Sequence, residues 1–370
     1  MKRRKVKNTD IVMILDIVFL VIFGFIAMTS ASYPRSLKDY GGGFHFVIRQ
    51  GIFLILGIIG MFMASKFPRK NLQRISLFLF IMTVIIVGLL WVPKLGHEVG
   101  GQIRWIKIPL IGFTFQPSDL MKLSSIIFMA HFLSVNIHRI KNNNIFILIL
   151  CIMGISVGPI MIKDFSTAIV MGLTLFFMFW ASGMSKKQFL VMVVIGTILL
   201  SIMLLTEDFS YRIKRITGLF TDDPAQRLDS AYHAFQSLYA IAMGGYSGVG
   251  LFHSRQKYTN VPEAHTDFIF AIICEEFGVI GATLLIILFI IFIYRGFMIA
   301  YKTKNLFDKI MAIGITTSIG IQAFFNMGVS VKLLPATGLT LPFISYGGTA
   351  LVIALIEVGL LLRIAKDEKR

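Results

Sequence analysis

The stretch "VPEAHTDFIFAIICEEFG", residues 261 to 278, opens as a polar turn and continues as an apolar helix to about Tyr294, carrying Asp267, Glu275 and Glu276 toward what should be lipid. On insertion scales an acidic side chain at a helix centre costs about 3 kcal/mol, against a gain of about half a kcal/mol per Leu, Ile or Phe. The apolar run can therefore insert, but stably only where protein or water surrounds the carboxylates. At ~100° per residue, Glu275 lies ~80° around the helix from Asp267 and Glu276 lies ~180° away, so one surface cannot serve all three. Asp267, preceded by His265 and Thr266, stands at the helix mouth on the outer aqueous boundary, where this span alone makes it read as an N-cap. The two glutamates sit roughly 12 Å deeper and call for a buried basic partner. Lys122 is one candidate, unless Asp119, three residues earlier on the same helix face, takes it first.

A second set of side chains could do chemistry at that boundary. Arg104, Lys107, Arg255, Lys257 and Lys332 fall on segments expected outside the membrane, and Trp105 stands among them in "GGQIRWIKIP". Exposed cations with an aromatic at a membrane mouth suit an anionic lipid headgroup such as a pyrophosphate. The plain alternative is scattered interfacial anchoring, with Trp105 part of an aromatic belt.

The elements that must position these groups follow from composition. Hydrophobic residues make up 56% of the 370 and charged residues 15%, with a mean hydropathy of +0.79, which defines an all-α integral membrane protein of many spans. Apolar runs of spanning length occur near 11 to 31, 45 to 65, 75 to 93, 117 to 136, 145 to 162, 165 to 182, 188 to 205, 268 to 294, 308 to 330 and 341 to 362, about ten transmembrane helices. With the N-terminus inside, 21 of the 36 Lys and Arg residues fall on short inner loops. Both termini are then cytoplasmic and residues 207 to 266 external. Topology and anionic lipid account for the net charge of +17, so no nucleic-acid partner is implied. The first span also has the basic flank and the small residues "TSAS" of a signal peptide, but it is long for a cleaved segment. Cys151 and Cys274 both lie inside spans, so no disulfide framework is implied and both read as packing residues.

A 60-residue external loop is unusual, and its sequence argues for order. Phe209, Ile213, Ile216 and Phe220 recur at helical spacing, as do Phe235, Leu238, Tyr239 and Ala242 before Gly244 and Gly245 end the pattern. Both segments read as amphipathic helices on the outer membrane surface. The glycines of "GGYSGVG" permit a tight backbone able to approach phosphate, although without a preceding strand they are no nucleotide signature. No soluble domain or internal repeat is evident, and residues 1–370 read as one polytopic membrane domain.

Five strings occur in order: "GGQIRWIKIPLIGFTFQPSDLMKLS", "YHAFQSLYAIAMGGYSGVGL", "PEAHTDFIFAIICEEFG", "QAFFNMGV" and "LLPATGLTLPFISYGG". Together they closely resemble the shape, elongation, division and sporulation (SEDS) family of bacteria, the FtsW and RodA proteins, over nearly the whole chain. The last string is more similar to the FtsW and sporulation branch than to the RodA branch. The resemblance implies a peptidoglycan glycosyltransferase of the bacterial cytoplasmic membrane. Such an enzyme polymerises lipid II on the outer face, with a class B penicillin-binding protein as transpeptidase partner among other division or elongation machinery. It places Asp267 on the family's essential external aspartate and Arg104 and Trp105 on its external tryptophan motif. Three places depart from the usual pattern: Asp119 stands where a glutamate is typical, Cys274 where a glycine is common, and Thr349-Ala350 where two serines often follow.

That chemistry requires a sugar 4-hydroxyl to attack an anomeric carbon while undecaprenyl pyrophosphate departs, so the site needs a base and a counter-charge. Asp267 is the expected base, with Arg104, Trp105, Lys107, Arg255, Lys257, His265 and Lys332 expected around the substrate. Asp119, Lys122, Glu275 and Glu276 are expected to support the bundle. A second role for Asp267 is to hold a divalent cation, Mg or Mn, against the pyrophosphate. Two rival readings remain: a lipid II transporter, which broken helices such as "LPATGLTLPFISYGG" would suit, and a non-catalytic scaffold that recruits an enzyme.

Overall fold

The structure is a computed structural model describing residues 10–92, 96–99, 102–107, 114–204, 232–259, 263–335 and 337–368. A long helix stands at each of the expected spans: α1 (Ile11–Tyr40), α2 (His45–Lys66), α3 (Arg69–Gly88), α4 (Pro117–Val135), α5 (Asn143–Lys163), α6 (Phe165–Ala181), α7 (Lys186–Leu204), α9 (Ile269–Lys302), α10 (Leu306–Ser330) and α11 (Gly348–Glu368). Among the described residues, eight of these are long and apolar enough to cross a membrane, while α6 is shorter at 17 residues. The ends follow local chemistry. Asp10 Oδ1 accepts from the Met13 N–H to start α1, Gly41 closes it at φ 69, and Pro117 opens α4 at a position where a missing N–H costs nothing.

The core lies where α4, α6, α9, α10 and α11 meet, around Met129, Met171, Phe289, Phe292 and Ile315. α2 packs along α11, and α3 against α4 and α5. One end of the bundle is tied by ion pairs, Asp10 with Arg295 and Asp308 with both Arg69 and Arg363. The opposite end carries irregular structure. Cys274 is buried, but Cys151 is exposed on α5, which corrects its reading as a packing residue.

Three features of that irregular end were not anticipated. First, "QIRWIK" is a strand. β1 (Gly96–Val99), β2 (Gln102–Lys107) and β3 (Thr114–Phe115) form an antiparallel sheet in that order. Trp105 pairs with His97 and Ile103 with Glu98, so Arg104 is the extra residue of a bulge, a device that re-aims a side chain. Second, α9 is broken at Gly278, whose φ 64 and ψ −163 are not helical. The 245–250 loop docks on the break: the N–H groups of Val249 and Gly250 donate to Glu275 O and Glu276 O, and those of Val279 and Ile280 to Gly245 O and Tyr246 O. A Cβ on Gly244 would stand 1.9 Å from Cys274 O, and one on Gly248, at φ +80, would stand 2.1 Å from Glu276 O. The glycines of "GGYSGVG" thus serve backbone-to-backbone docking, which corrects the phosphate-approach reading. Third, the described part of the segment expected outside the membrane packs against the bundle. Its second amphipathic helix exists as α8 (Tyr232–Gly244), which packs on α9 with Ser237 Oγ donating to Ser330 O. The first, around 209 to 220, lies outside the described residues.

Candidate active site

Asp267 stands in the turn 263–268, ahead of the helix. The cap position of α9 belongs to Phe268, which makes no side-chain capping bond, so the N-cap reading of Asp267 is corrected. The turn closes on itself at Glu263, a non-glycine residue at φ 50 whose carbonyl accepts from the N–H groups of Thr266 (3.1 Å) and Asp267 (3.2 Å). Each of the carbonyls of residues 265, 266 and 267 takes a donor from the bundle. The Tyr346 N–H donates to His265 O at 2.8 Å, Ser345 Oγ to Thr266 O at 2.6 Å, and Asn326 Nδ2 to Asp267 O at 2.9 Å. Asn326 Nδ2 also donates to Leu339 O at 2.7 Å, fastening the turn to the loop between α10 and α11. An irregular backbone persists at such a site only when its surroundings over-determine it, and here they do.

Arg104 reaches the same place from the sheet. A Cβ built on Gly338 would lie 2.6 Å from Arg104 Nη1 and 3.9 Å from Asp267 Oδ2, so the absent side chain leaves room for guanidinium and carboxylate at one spot. Arg104 is steadied from behind: its Nε donates to Lys163 O at 3.2 Å and its Nη1 lies 3.6 Å from Asp164 Oδ1. Asp164 in turn starts α6 by accepting from the Thr167 N–H, and it accepts from Thr167 Oγ1 (2.7 Å) and Gln116 Nε2 (3.0 Å). Sequence reasoning missed Asp164, Gln116, Ser345 and Asn326. The N-cap pattern of "KDFST" signalled the first, and an amide inside the apolar run "QAFFNMGV" signalled the last.

The other expected residues divide. Trp105 is half-buried and Lys107 exposed on the same strand as Arg104, and Arg255 is exposed just ahead of the helical turn Gln256–Thr259. Lys332, at φ 59, lies over the Phe235 ring at 3.8 Å, tying α10 to α8. Two placements are corrected. Lys257 is buried, with its Nζ donating to Glu276 Oε1 at 2.6 Å and Ser30 Oγ at 2.7 Å, so it is a structural cation and no headgroup ligand. His265 is buried against Phe46 and Tyr346, and burial lowers its pKa to about 4, leaving a neutral aromatic wedge.

The supporting acids also find different partners. Glu276 pairs with Lys257 from the segment packed on the bundle, which corrects the expectation that Lys122 supplies the cation. Glu275 Oε1 accepts from the Arg255 N–H at 2.8 Å and Oε2 from Ser254 Oγ at 2.5 Å, so it caps the helical turn Gln256–Thr259. Lys122 Nζ donates to Gln322 Oε1 at 2.8 Å, and Gln322 Nε2 to Thr340 O at 2.9 Å. Asp119 accepts instead from Thr349 Oγ1 at 3.2 Å, and among the described residues no ion pair joins it to Lys122. These side chains brace the loop that braces Asp267.

Fold and site together define a polytopic α-helical membrane protein with a fixed carboxylate beside a guanidinium at one end of its bundle. Residues 11–370 match the FtsW/RodA/SpoVE cell cycle protein family, and the chain belongs to it. It is a multi-pass protein of the cytoplasmic membrane. A probable peptidoglycan glycosyltransferase FtsW of Geobacter sulfurreducens is 34% identical, covering 98% of this chain and 96% of the relative. The stage V sporulation protein E of Bacillus subtilis is 36% identical, covering 98% of each. Among solved structures, a chain of a peptidoglycan synthase complex coordinating polymerization and crosslinking superposes with a TM-score of 0.79 at 24% identity, covering 98% of this chain and 99% of the other. The rod shape determining protein RodA of Thermus thermophilus superposes at 0.71 with 23% identity, covering 98% of each.

Proposed function

We propose that this protein is a peptidoglycan glycosyltransferase that polymerises lipid II on the outer face of the cytoplasmic membrane, with both termini inside. The observation that carries the reading is the turn around Asp267, whose carbonyls at 265, 266 and 267 are each held by a bundle donor while the Arg104 guanidinium and the Asp267 carboxylate both approach Gly338. The names of the FtsW relatives support it, and they lend nothing to a transporter.

In this mechanism Asp267 accepts the proton of an acceptor sugar 4-hydroxyl as its oxygen bonds to the donor's anomeric carbon. The bond from that carbon to the pyrophosphate oxygen breaks, and undecaprenyl pyrophosphate leaves with the electron pair. Arg104 balances the developing charge, with Trp105 and Lys107 on the same strand. Among the described residues no group of three His, Cys, Asp or Glu side chains surrounds Asp267. A Mg or Mn ion fits there only if it takes most of its oxygens from the substrate pyrophosphate, and it would then supply Lewis-acid neutralisation of the leaving group. The partner is a crosslinking enzyme, a class B penicillin-binding protein, with other division or elongation proteins around it, and the last motif favours the FtsW and sporulation branch.

The test is glycan polymer formation from labelled lipid II by purified protein and partner transpeptidase in detergent. Wild type yields polymer, while Asp267→Asn loses about 10²- to 10⁴-fold in rate with its unfolding temperature unchanged. Polymer at wild-type rate from that variant would overturn the reading, and chelator titration of the same assay tests the cation.

A further inference from the structure

Far from Asp267, a groove of about 590 Å³ opens between α3 and α4, within the range of sites that hold small molecules. Along α4 its centre at His131 is ~18 Å from Asp119, which places it near the end tied by Asp10, Arg295 and Asp308. Each wall is one helix face. α3 contributes Lys70, Gln73, Arg74 and Leu77, and α4 contributes Phe128, His131, Phe132 and Val135, both sets at the i, i+3, i+4, i+7 spacing that lines up on one side of a helix.

The chemistry is graded along the groove. Lys70 and Arg74, one turn apart and exposed, stand at the mouth. Among the described residues neither has a carboxylate partner, since the nearby Asp308 is taken by Arg69 and Arg363. Because α3 and α4 run antiparallel, with Thr83 against Ser124 and Phe80 against Phe128, exposed Val135 flanks this mouth, exposed Leu77 lies further along, and Phe128 and Phe132 form an aromatic floor continued by Phe80, stacked on Phe128 at 4.8 Å. His131 lines the same space with a buried ring Nδ1 that has no hydrogen-bond partner among the described residues. A soluble anion would use the two cations but leave the apolar walls wet, and a neutral lipid would leave the cations without a counter-charge. A molecule with a phosphate at one end and acyl chain at the other satisfies both.

We propose that this groove binds an anionic phospholipid of the leaflet on the Lys70 side, phosphate against Lys70 and Arg74 and acyl chain along Leu77, Phe132 and Phe128. The site is separate from the reaction at Asp267 and does not depend on it. Its occupant would fill the seam by which α3 joins the bundle.

The experiment is native mass spectrometry of the purified full-length protein in detergent, titrated separately with phosphatidylglycerol, phosphatidylcholine and inorganic phosphate. Phosphatidylglycerol is expected to be retained over phosphatidylcholine. Lys70→Gln with Arg74→Gln is expected to weaken that retention about 30-fold, the effect of two membrane-surface cations, with phosphatidylcholine unchanged. Leu77→Trp, which fills the groove without altering charge, is expected to weaken phosphatidylglycerol as well, and it carries the test should the double variant not fold. The proposal is overturned if both lipids are retained equally, if inorganic phosphate is retained as well as phosphatidylglycerol, or if a folded variant retains phosphatidylglycerol like wild type.

Discussion

The pair Lys257 and Glu276 offers the sharpest test of how the 244–257 segment is fixed to the bundle. Their side chains are 0% and 1% exposed, and Ser30 Oγ donates to the same carboxylate oxygen, Oε1, at 2.6 Å. Replacing Lys257 by Met keeps the volume of the stem but leaves Glu276 as a buried anion whose remaining donors among the described residues are the Ser30 hydroxyl and, at a long 3.4 Å, the Ser254 N–H. Removing one partner of such a pair costs about 3–5 kcal/mol, whereas replacing both by apolar groups is often neutral. The Lys257→Met change should therefore lower the unfolding temperature by on the order of 5–10 °C, measured in one detergent at one scan rate. Adding Glu276→Met to it should recover most of that loss, a coupling of about 2 kcal/mol or more. Two results would refute the reasoning: a Lys257→Met protein that melts like wild type, or a double variant no more stable than the single one. Either would mean that the 244–257 segment is not held through this charge pair.

Asn326→Ala leaves the carbonyls of Asp267 and Leu339 without their donor, at about 1–3 kcal/mol each, and should lower kcat for polymerisation more than it raises KM. A change in KM alone would count against a positioning role. Gly248→Ala should undock the 245–250 loop and cost about 2 kcal/mol, because its Cβ meets Glu276 O at 2.1 Å on a backbone at φ +80. Gly245→Asn, at φ +52 with nothing within 4 Å, should melt near wild type. For His265, a folded pKa of about 4 against an ordinary 6.5 means that its stabilising contribution is complete above pH 6.5 and is lost as pH falls toward 4. His265→Phe should therefore flatten the acid side of the melting-temperature profile between those values, and an unaltered profile would show that another group controls it.

The helices were legible because the hydrocarbon thickness imposes one length and one polarity on each span, so hydropathy alone marks them. The sheet was not, because β2 is six residues long and its bulge at Arg104 exists only through pairing with β1. The same limit governs the acids. Sequence could say that Asp267, Glu275 and Glu276 face different ways, and that the two glutamates need company. It could not say that their company comes from Ser254, Arg255 and Lys257, because a segment read as external surface packs on the bundle only when Gly244, Gly248 and Gly278 let two backbones touch. Charge alone therefore misled twice. Lys257 resembled a headgroup ligand and is a buried counter-ion, while Arg104 looked equivalent to Lys107 and is the one brought to the carboxylate. The three acids also differ in how their surroundings hold them. The oxygens of Glu275 and Glu276 accept from Ser30, Ser254, Arg255 and Lys257, whereas at Asp267 the bundle donors named here fix the main chain of the turn and so set the half-exposed carboxylate near Arg104, the placement on which the proposed role of Asp267 rests.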